Sequence, residues 1–180
     1  LGILSWYALE NKKNMKQIIP YFKQAAKDDN WIVRESAAGL FQKIIKNYPN
    51  EIQKYLKDFS TSSNPKVRRF VSETLRPVSQ NKWIQKNPKF SLEILKPLFQ
   101  ESSAYPRTSI GNNLSDLARQ NPELIYSIVK DLVSNNDNNS YWIAYRACRN
   151  LVKKEPQKVL NLLKIDEYKY KKYRIKINDI

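Results

Sequence analysis

The chain has 180 residues, 41% of them hydrophobic, with one cysteine, no histidine and a net charge of +15 from 32 Lys and Arg against 17 Asp and Glu. That length and apolar content suffice for one continuous core. The lack of histidine excludes histidine acid–base chemistry and zinc sites, and lone Cys148 cannot form an intrachain disulfide.

The charge makes a polyanion the first partner to expect, because clustered Lys and Arg attract phosphates; a plain basic surface is the alternative. No metal or cofactor is expected. A reducing interior, the cytoplasm, is the natural compartment, and no apolar run is long enough for a membrane span.

In chain order, Leu1 to Trp6 lacks the basic flank of a signal peptide and reads as a helix cut mid-course, so the natural protein is expected to be longer. Ala37 and Phe41, four residues apart, mark the core face of the next helix. A second helix starts at Tyr48-Pro49, where Ile52, Tyr55, Leu56 and Phe59 form one apolar stripe at i, i+3, i+4 and i+7. Polar residues from 60 to 64 end that pair.

The pattern then repeats. Val71 and Leu75 anchor a helix that Pro77 must end, and its partner starts at Asn87-Pro88, after about five more residues than the other repeats use. This insertion, Arg76 to Trp83, is either a tolerated loop or a presenter of ligand contacts. Past a polar break at 100–106, Ile110 and Leu114 anchor the third pair. Its second helix starts at Asn121-Pro122 and carries Leu124, Ile125, Ile128, Val129, Leu132 and Val133. Past another break at 134–140, Ala147 and Leu151 precede Glu155-Pro156.

The starting prolines lie 39, 34 and 34 residues apart. Proline at the first helical position costs no hydrogen bond, and Asn87 and Asn121 are expected to cap their helices. Glycine and alternating β-branched runs are scarce, so no sheet is expected. The reading is all-α: a right-handed, HEAT-like repeat solenoid of antiparallel helix pairs over residues 1–163, with a concave basic groove. Residues 164–180 form a basic and aromatic tail in which Tyr168, Tyr170 and Tyr173 alternate with Lys169, Lys171, Lys172, Arg174 and Lys176. Such a run can track a nucleic-acid backbone or form an edge strand. The preferred reading is a tether to a further domain.

Two residues after each anchor stand Gly39, Glu73, Asn112 and Arg149. Glu73 sits among Arg68, Arg69 and Arg76, and Asp116 lies one turn beyond Asn112. In a repeat stack such positions converge on one groove.

Three segments carry a resemblance. Val67 to Pro77, with Arg68-Arg69, Ser72-Glu73 and Arg76-Pro77, resembles a motif of the AlkC/AlkD superfamily of HEAT-like DNA alkylation repair glycosylases, nearest to the AlkC branch. Tyr105 to Ala118, with Arg107, Ser109, Asn112-Asn113-Leu114 and Asp116, is similar to a second motif of that branch, and Trp142 to Lys154 to a third. The resemblance covers roughly residues 25–165. It implies binding of double-stranded DNA, alkylated or branched, by a monomer, and removal of cationic 3- or 7-alkylpurines by active members. Such members use a carboxylate to stabilise positive charge on the deoxyribose while water attacks. An alkylated purine is already a cationic leaving group, so the chemistry needs no histidine, and a carboxylate or indole face supplies the electrostatics.

Carried over by position, Glu73 and Asp116 are the catalytic candidates, with Glu35 a weaker third. The DNA-binding candidates are Trp31, Arg34, Arg69, Trp83, Asn112 and Trp142. Phosphate contacts are expected from Arg68, Arg76, Arg107, Arg146, Arg149, Lys153 and Lys154. The structural alternative for each carboxylate is an ion pair: Glu73 with Arg69 or Arg76, Asp116 with Arg119, Glu35 with Arg34. The tryptophans have a core role as theirs.

The departures from the family's pattern bear on catalysis: Thr74 stands for its glycine, Val78 to Trp83 for the branch's usual run after Arg-Pro and Thr108 for an arginine, and the tryptophan–aspartate motif of active AlkD members is not visible. Three readings remain open: an alkylpurine glycosylase, a non-excising DNA-binding relative, and a protein–protein scaffold.

Overall fold

The computed structural model describes residues 1–79, 81–170 and 173–177. Its helices are α1 (Gly2–Glu10), α2 (Met15–Lys27), α3 (Trp31–Ile45), α4 (Pro49–Ser60), α5 (Pro65–Thr74), α6 (Lys82–Lys86), α7 (Pro88–Leu95), α8 (Ala104–Leu117), α9 (Pro122–Ser134), α10 (Asn138–Ala147) and α11 (Pro156–Leu163). Two strands follow, β1 (Glu167–Tyr170) and β2 (Tyr173–Lys176).

The four residues before the starting prolines share one backbone shape. Tyr48, Asn87, Asn121 and Glu155 have φ between −136° and −124° and ψ between 56° and 68°. Proline bars the preceding residue from the helical region, so the chain turns in the same way each time and delivers a helix at each proline. The expected caps are absent, however: neither the Asn87 nor the Asn121 side chain closes its helix, and the Asn87 amide instead donates to the Trp83 carbonyl at 2.8 Å. True caps occur elsewhere. Asn30 accepts from the Ile32 N–H, Asn64 from Lys66 and Asp137 from Ser140, at 2.7–2.9 Å. The extended backbone of those three lets the side chain reach the first turn.

Packing divides the repeats into two layers. Helices α3, α5, α8 and α10 stack side by side, while α4 lies on α5 and α7, and α9 on α8, α10 and α11. The anchors form the seam between layers. Ala37, Phe41, Val71, Leu75, Ile110, Leu114 and Ala147 are fully buried and Leu151 nearly so. Burying side chains of this size contributes up to about 1.5–3 kcal/mol for each of the larger ones. Leu75 and Leu151 do so from the turns just past α5 and α10, which end sooner than their periodicity suggests.

The insertion is pinned rather than loose. Asn81 is buried and donates to the carbonyls of Thr74 and Arg76, and Gln85 donates to those of Pro77 and Val78.

The expectation of no sheet fails at the tail. Strands β1 and β2 pair antiparallel, with Tyr168 opposite Ile175 and Lys169 opposite Arg174. The alternation of tyrosine and basic residues is a period-two pattern, and it puts Tyr168 inside. The Tyr168 ring stacks on Tyr145 of α10 at 4.4 Å, and its hydroxyl donates to the Tyr145 carbonyl at 2.9 Å. The described part of the tail is therefore a hairpin fastened to α10, in keeping with the strand alternative; Lys171 and Lys172 lie outside the described residues.

Candidate nucleic-acid interface

One chain of ion pairs runs along the layer of α3, α5, α8 and α10. Glu35 on α3 meets Arg69 Nη2 at 3.2 Å, and the same nitrogen meets Glu73 Oε1 at 2.9 Å. Glu73 Oε2 is 3.3 Å from Arg76 Nη1, and Arg76 Nη2 is 2.8 Å from Asp116 Oδ2 on α8. Asp116 Oδ1 continues to Arg149 at 3.4 Å and to Arg119 at 3.7 Å. Arg149 and Arg146 then both donate to the Asn112 side-chain oxygen.

The ion-pair alternatives thus hold for Glu73 and Asp116, whereas Glu35 pairs with Arg69 instead of Arg34. Among the described residues, no group of three or more acidic or cysteine side chains could hold a metal.

The two candidate carboxylates differ. Glu73 is buried, its Oε1 also accepting from the Ser109 hydroxyl at 2.7 Å, and Ser72 in turn is hydrogen-bonded to Ser109. Asp116 borders an open cleft of about 500 Å³, lined also by Arg76, Pro77, Val78, Arg119 and Gln120. Burial works against the Arg76 charge, but its hydrogen bond to Asp116 and the charges of both carboxylates outweigh it, holding the guanidinium above its ordinary pKa.

Several arginines lie over aromatic rings. Arg69 lies over the Tyr105 ring at 4.4 Å, Arg107 and Arg146 over Trp142 at 5.1 and 5.4 Å, and Arg149 over Tyr170 at 5.4 Å. Stacking leaves the edge N–H groups of a guanidinium available to an anion. Tyr105 and Tyr170 escaped the sequence reading as site residues. Their signal was faint: a tyrosine two residues before Arg107-Thr108-Ser109, and another in the alternating tail.

Other candidates are placed differently. Arg68 forms a bidentate pair with buried Glu101 at 2.6 and 2.8 Å, and its Nη1 donates to the Ser62 and Ser63 carbonyls. The Glu101 hydrogen bond raises its pKa. Arg34 donates to the Asp28 and Asp29 carbonyls and to the Tyr105 hydroxyl. Both thereby tie turns together. Trp83 packs edge-to-face on Phe90 of α7, in the layer of proline-started helices. Trp31 is exposed at the first turn of α3, and Lys153 and Lys154 are exposed in the turn after α10. Arg107 Nη1 is hydrogen-bonded to Asn139.

Fold and site together define an α-helical repeat protein with an arginine-lined layer, punctuated by carboxylates and aromatic platforms. Residues 1–151 match the family described as DNA alkylation repair enzyme, and the chain belongs to that family. YhaZ of Bacillus subtilis (strain 168), an uncharacterized protein, is 32% identical over 110 residues, which are 58% of this chain and 30% of YhaZ. Among solved structures, the alkylpurine DNA glycosylase AlkC of Pseudomonas fluorescens, bound to DNA containing an abasic site analog, superposes with a TM-score of 0.62 at 25% identity. The match covers 81% of this chain and 44% of AlkC. AlkD2 of Streptococcus mutans shares the fold, with a TM-score of 0.62 at 23% identity over 82% of this chain and 70% of AlkD2. The chain thus spans less than half the length of YhaZ or AlkC. No helix among the described residues is long and apolar enough to cross a membrane.

Proposed function

We propose that this chain grips duplex DNA along the layer of α3, α5, α8 and α10, and that Asp116 supports hydrolysis of the N-glycosidic bond of a cationic alkylpurine in the cleft beside Arg76. The observation that carries the reading is the Arg76 bridge between buried Glu73 and cleft-lining Asp116. It divides the labour between two carboxylates that the sequence leaves equivalent. Glu73, held by Arg69, Arg76 and Ser109, orients the arginines. Asp116 faces the space where a sugar would sit.

Departure of the alkylpurine takes the bonding electron pair onto the base and leaves positive charge on C1′ of the deoxyribose. Asp116 stabilises that charge, water adds to C1′, and its proton passes to solvent. For Asp116 to act, Arg76 and Arg149 must turn part of their charge toward other anions, and DNA phosphates supply them. The gathering of Arg69, Arg76, Arg107, Arg119, Arg146 and Arg149 along one layer supports a nucleic-acid partner over a protein scaffold.

The engagement of both carboxylates in ion pairs favours a second reading, a relative that binds DNA without excising a base. A base-release assay on methylated duplex DNA with the full-length protein separates the two. The first reading expects release of 3- or 7-methylpurines, reduced roughly 10²-fold by Asp116→Asn while DNA affinity persists. Absence of release above a buffer control would sink the catalytic half. Binding that ignores salt concentration would sink both, because phosphate contacts release counterions.

A further inference from the structure

Between α10 and the hairpin lies a second cleft, of about 340 Å³, lined by Trp142, Tyr145, Arg146, Lys169 and Tyr170. Its chemistry differs from that of the carboxylate cleft, because none of the described residues lining it is acidic. Arg146 lies 5.4 Å from the Trp142 ring and 5.6 Å from the Tyr170 ring. Only its Nε has a hydrogen-bond partner among the described residues, the Asn112 oxygen at 2.9 Å. The guanidinium is thus held on two rings and by one nitrogen, with its terminal nitrogens left for another acceptor. Lys169 adds an exposed ammonium, paired among the described residues with Glu167 at 2.7 Å.

The hairpin is fixed in place to make this cleft. The Tyr145 hydroxyl donates to the Lys169 carbonyl at 2.9 Å and accepts from the Lys169 N–H at 2.6 Å. Tyr170 lies beside Arg149, its hydroxyl 3.1 Å from Arg149 Nη1, which ties the cleft to the ion-pair chain through Asn112 and Asp116.

We propose that this cleft holds a phosphodiester of the DNA backbone, so that the C-terminal hairpin is a working part of the DNA-gripping face. The Arg146 edge and the Lys169 ammonium would take the phosphate oxygens, and the Trp142 and Tyr170 rings would flank the adjoining deoxyribose. A fixed planar fork beside a mobile point charge suits a tetrahedral anion. The proposal rests on the DNA-binding reading and adds to it a site one repeat past the carboxylates.

The test measures affinity of the full-length protein for an unmodified duplex of two helical turns, with and without 5′-phosphates, as a function of salt. Lys169→Gln should lower the slope of log affinity against log salt by about one. Between about 50 and 200 mM salt its affinity should then fall about fourfold less than that of the wild type. Lys169→Arg should restore the slope. Lys169 is exposed, so an unchanged melting temperature certifies the fold of both variants.

A wild-type slope in Lys169→Gln, alongside steep wild-type binding, overturns the proposal and leaves the DNA reading standing. A loss confined to duplexes with 5′-phosphates overturns the backbone assignment in favour of strand ends. Wild-type protein that does not bind duplex defeats the underlying reading and this one with it.

Discussion

Arg76 Nη2 lies 2.8 Å from Asp116 Oδ2, although 40 residues of sequence separate them. Arg76 joins the second repeat to the third alongside the Ser109–Glu73 hydrogen bond, and its other terminal nitrogen reaches back one turn to Glu73.

Arg76→Ala leaves two largely buried carboxylates facing each other with fewer counter-charges. Removing one partner of a buried pair costs about 3–5 kcal/mol. Arg76 is 31% exposed, so solvent screening reduces this to about 2 kcal/mol. For a chain of this size that lowers the melting temperature by roughly 4–8 °C, measurable by circular dichroism. A melting temperature equal to the wild type would show that the bridge contributes nothing to the fold.

Arg68 and Arg119 should behave in opposite ways. Arg68 is clamped by Glu101, with side-chain exposures of 16% and 3%, so Arg68→Ala should cost about 3 kcal/mol in stability and leave the salt dependence of DNA binding unchanged. Arg119 is 66% exposed at the rim of the Asp116 cleft. Arg119→Ala should keep the melting temperature and lower the salt slope by about one. Exchange of these two outcomes would contradict the assignment of Arg68 to structure.

Two glycines within helices give contrasting expectations. A Cβ on Gly111 would sit 2.9 Å from Arg146 Cβ and 3.1 Å from its Cγ, whereas one on Gly39 meets nothing within 4 Å. Gly111→Ala should destabilise by about 1–3 kcal/mol through overpacking at the contact of α8 and α10, and weaken DNA binding by shifting Arg146. Gly39→Ala should stabilise by about 0.5–1 kcal/mol through helix propensity. Chemical denaturation of both variants checks the signs.

Cys148 is fully buried, and burial pushes its thiol from 9.0 up to about 12. Native protein at pH 8.5 should therefore resist thiol reagents and label only on unfolding. The linkage follows the same shift. Between pH 9 and 12 the unfolded chain releases the thiol proton while the folded chain keeps it, so this residue lowers stability as pH rises through that window and has no such effect below it. Cys148→Ser would remove this ionisation, and melting curves of the two proteins at pH 8 and 10.5 would reveal it. Rapid labelling of native protein would contradict the burial.

Much of the architecture was legible in the sequence because it rests on local chemistry. Proline at a helix start and apolar residues at i, i+3, i+4 and i+7 act within one or two turns, so Pro49, Pro88, Pro122 and Pro156 and the eight anchors could be read directly. The motif around Glu73 and Asp116 was equally visible as a resemblance. Where the structure departs from the sequence reading, a competing partner decided it: the Asn87 amide is taken by the Trp83 carbonyl one turn before it, and the tail is drawn to Tyr145, 23 residues from Tyr168.

The sequence by itself determined the repeat, the strong positive charge and the absence of histidine chemistry, since each depends on residue type and spacing alone. Only the tertiary structure decided which carboxylate is enclosed and which borders a cleft, which arginines tie turns or carboxylates together, and that Arg146 lies between two rings with a hydrogen bond through its Nε. Those properties depend on groups 30 to 40 residues apart meeting across stacked helices, and no local rule specifies such meetings.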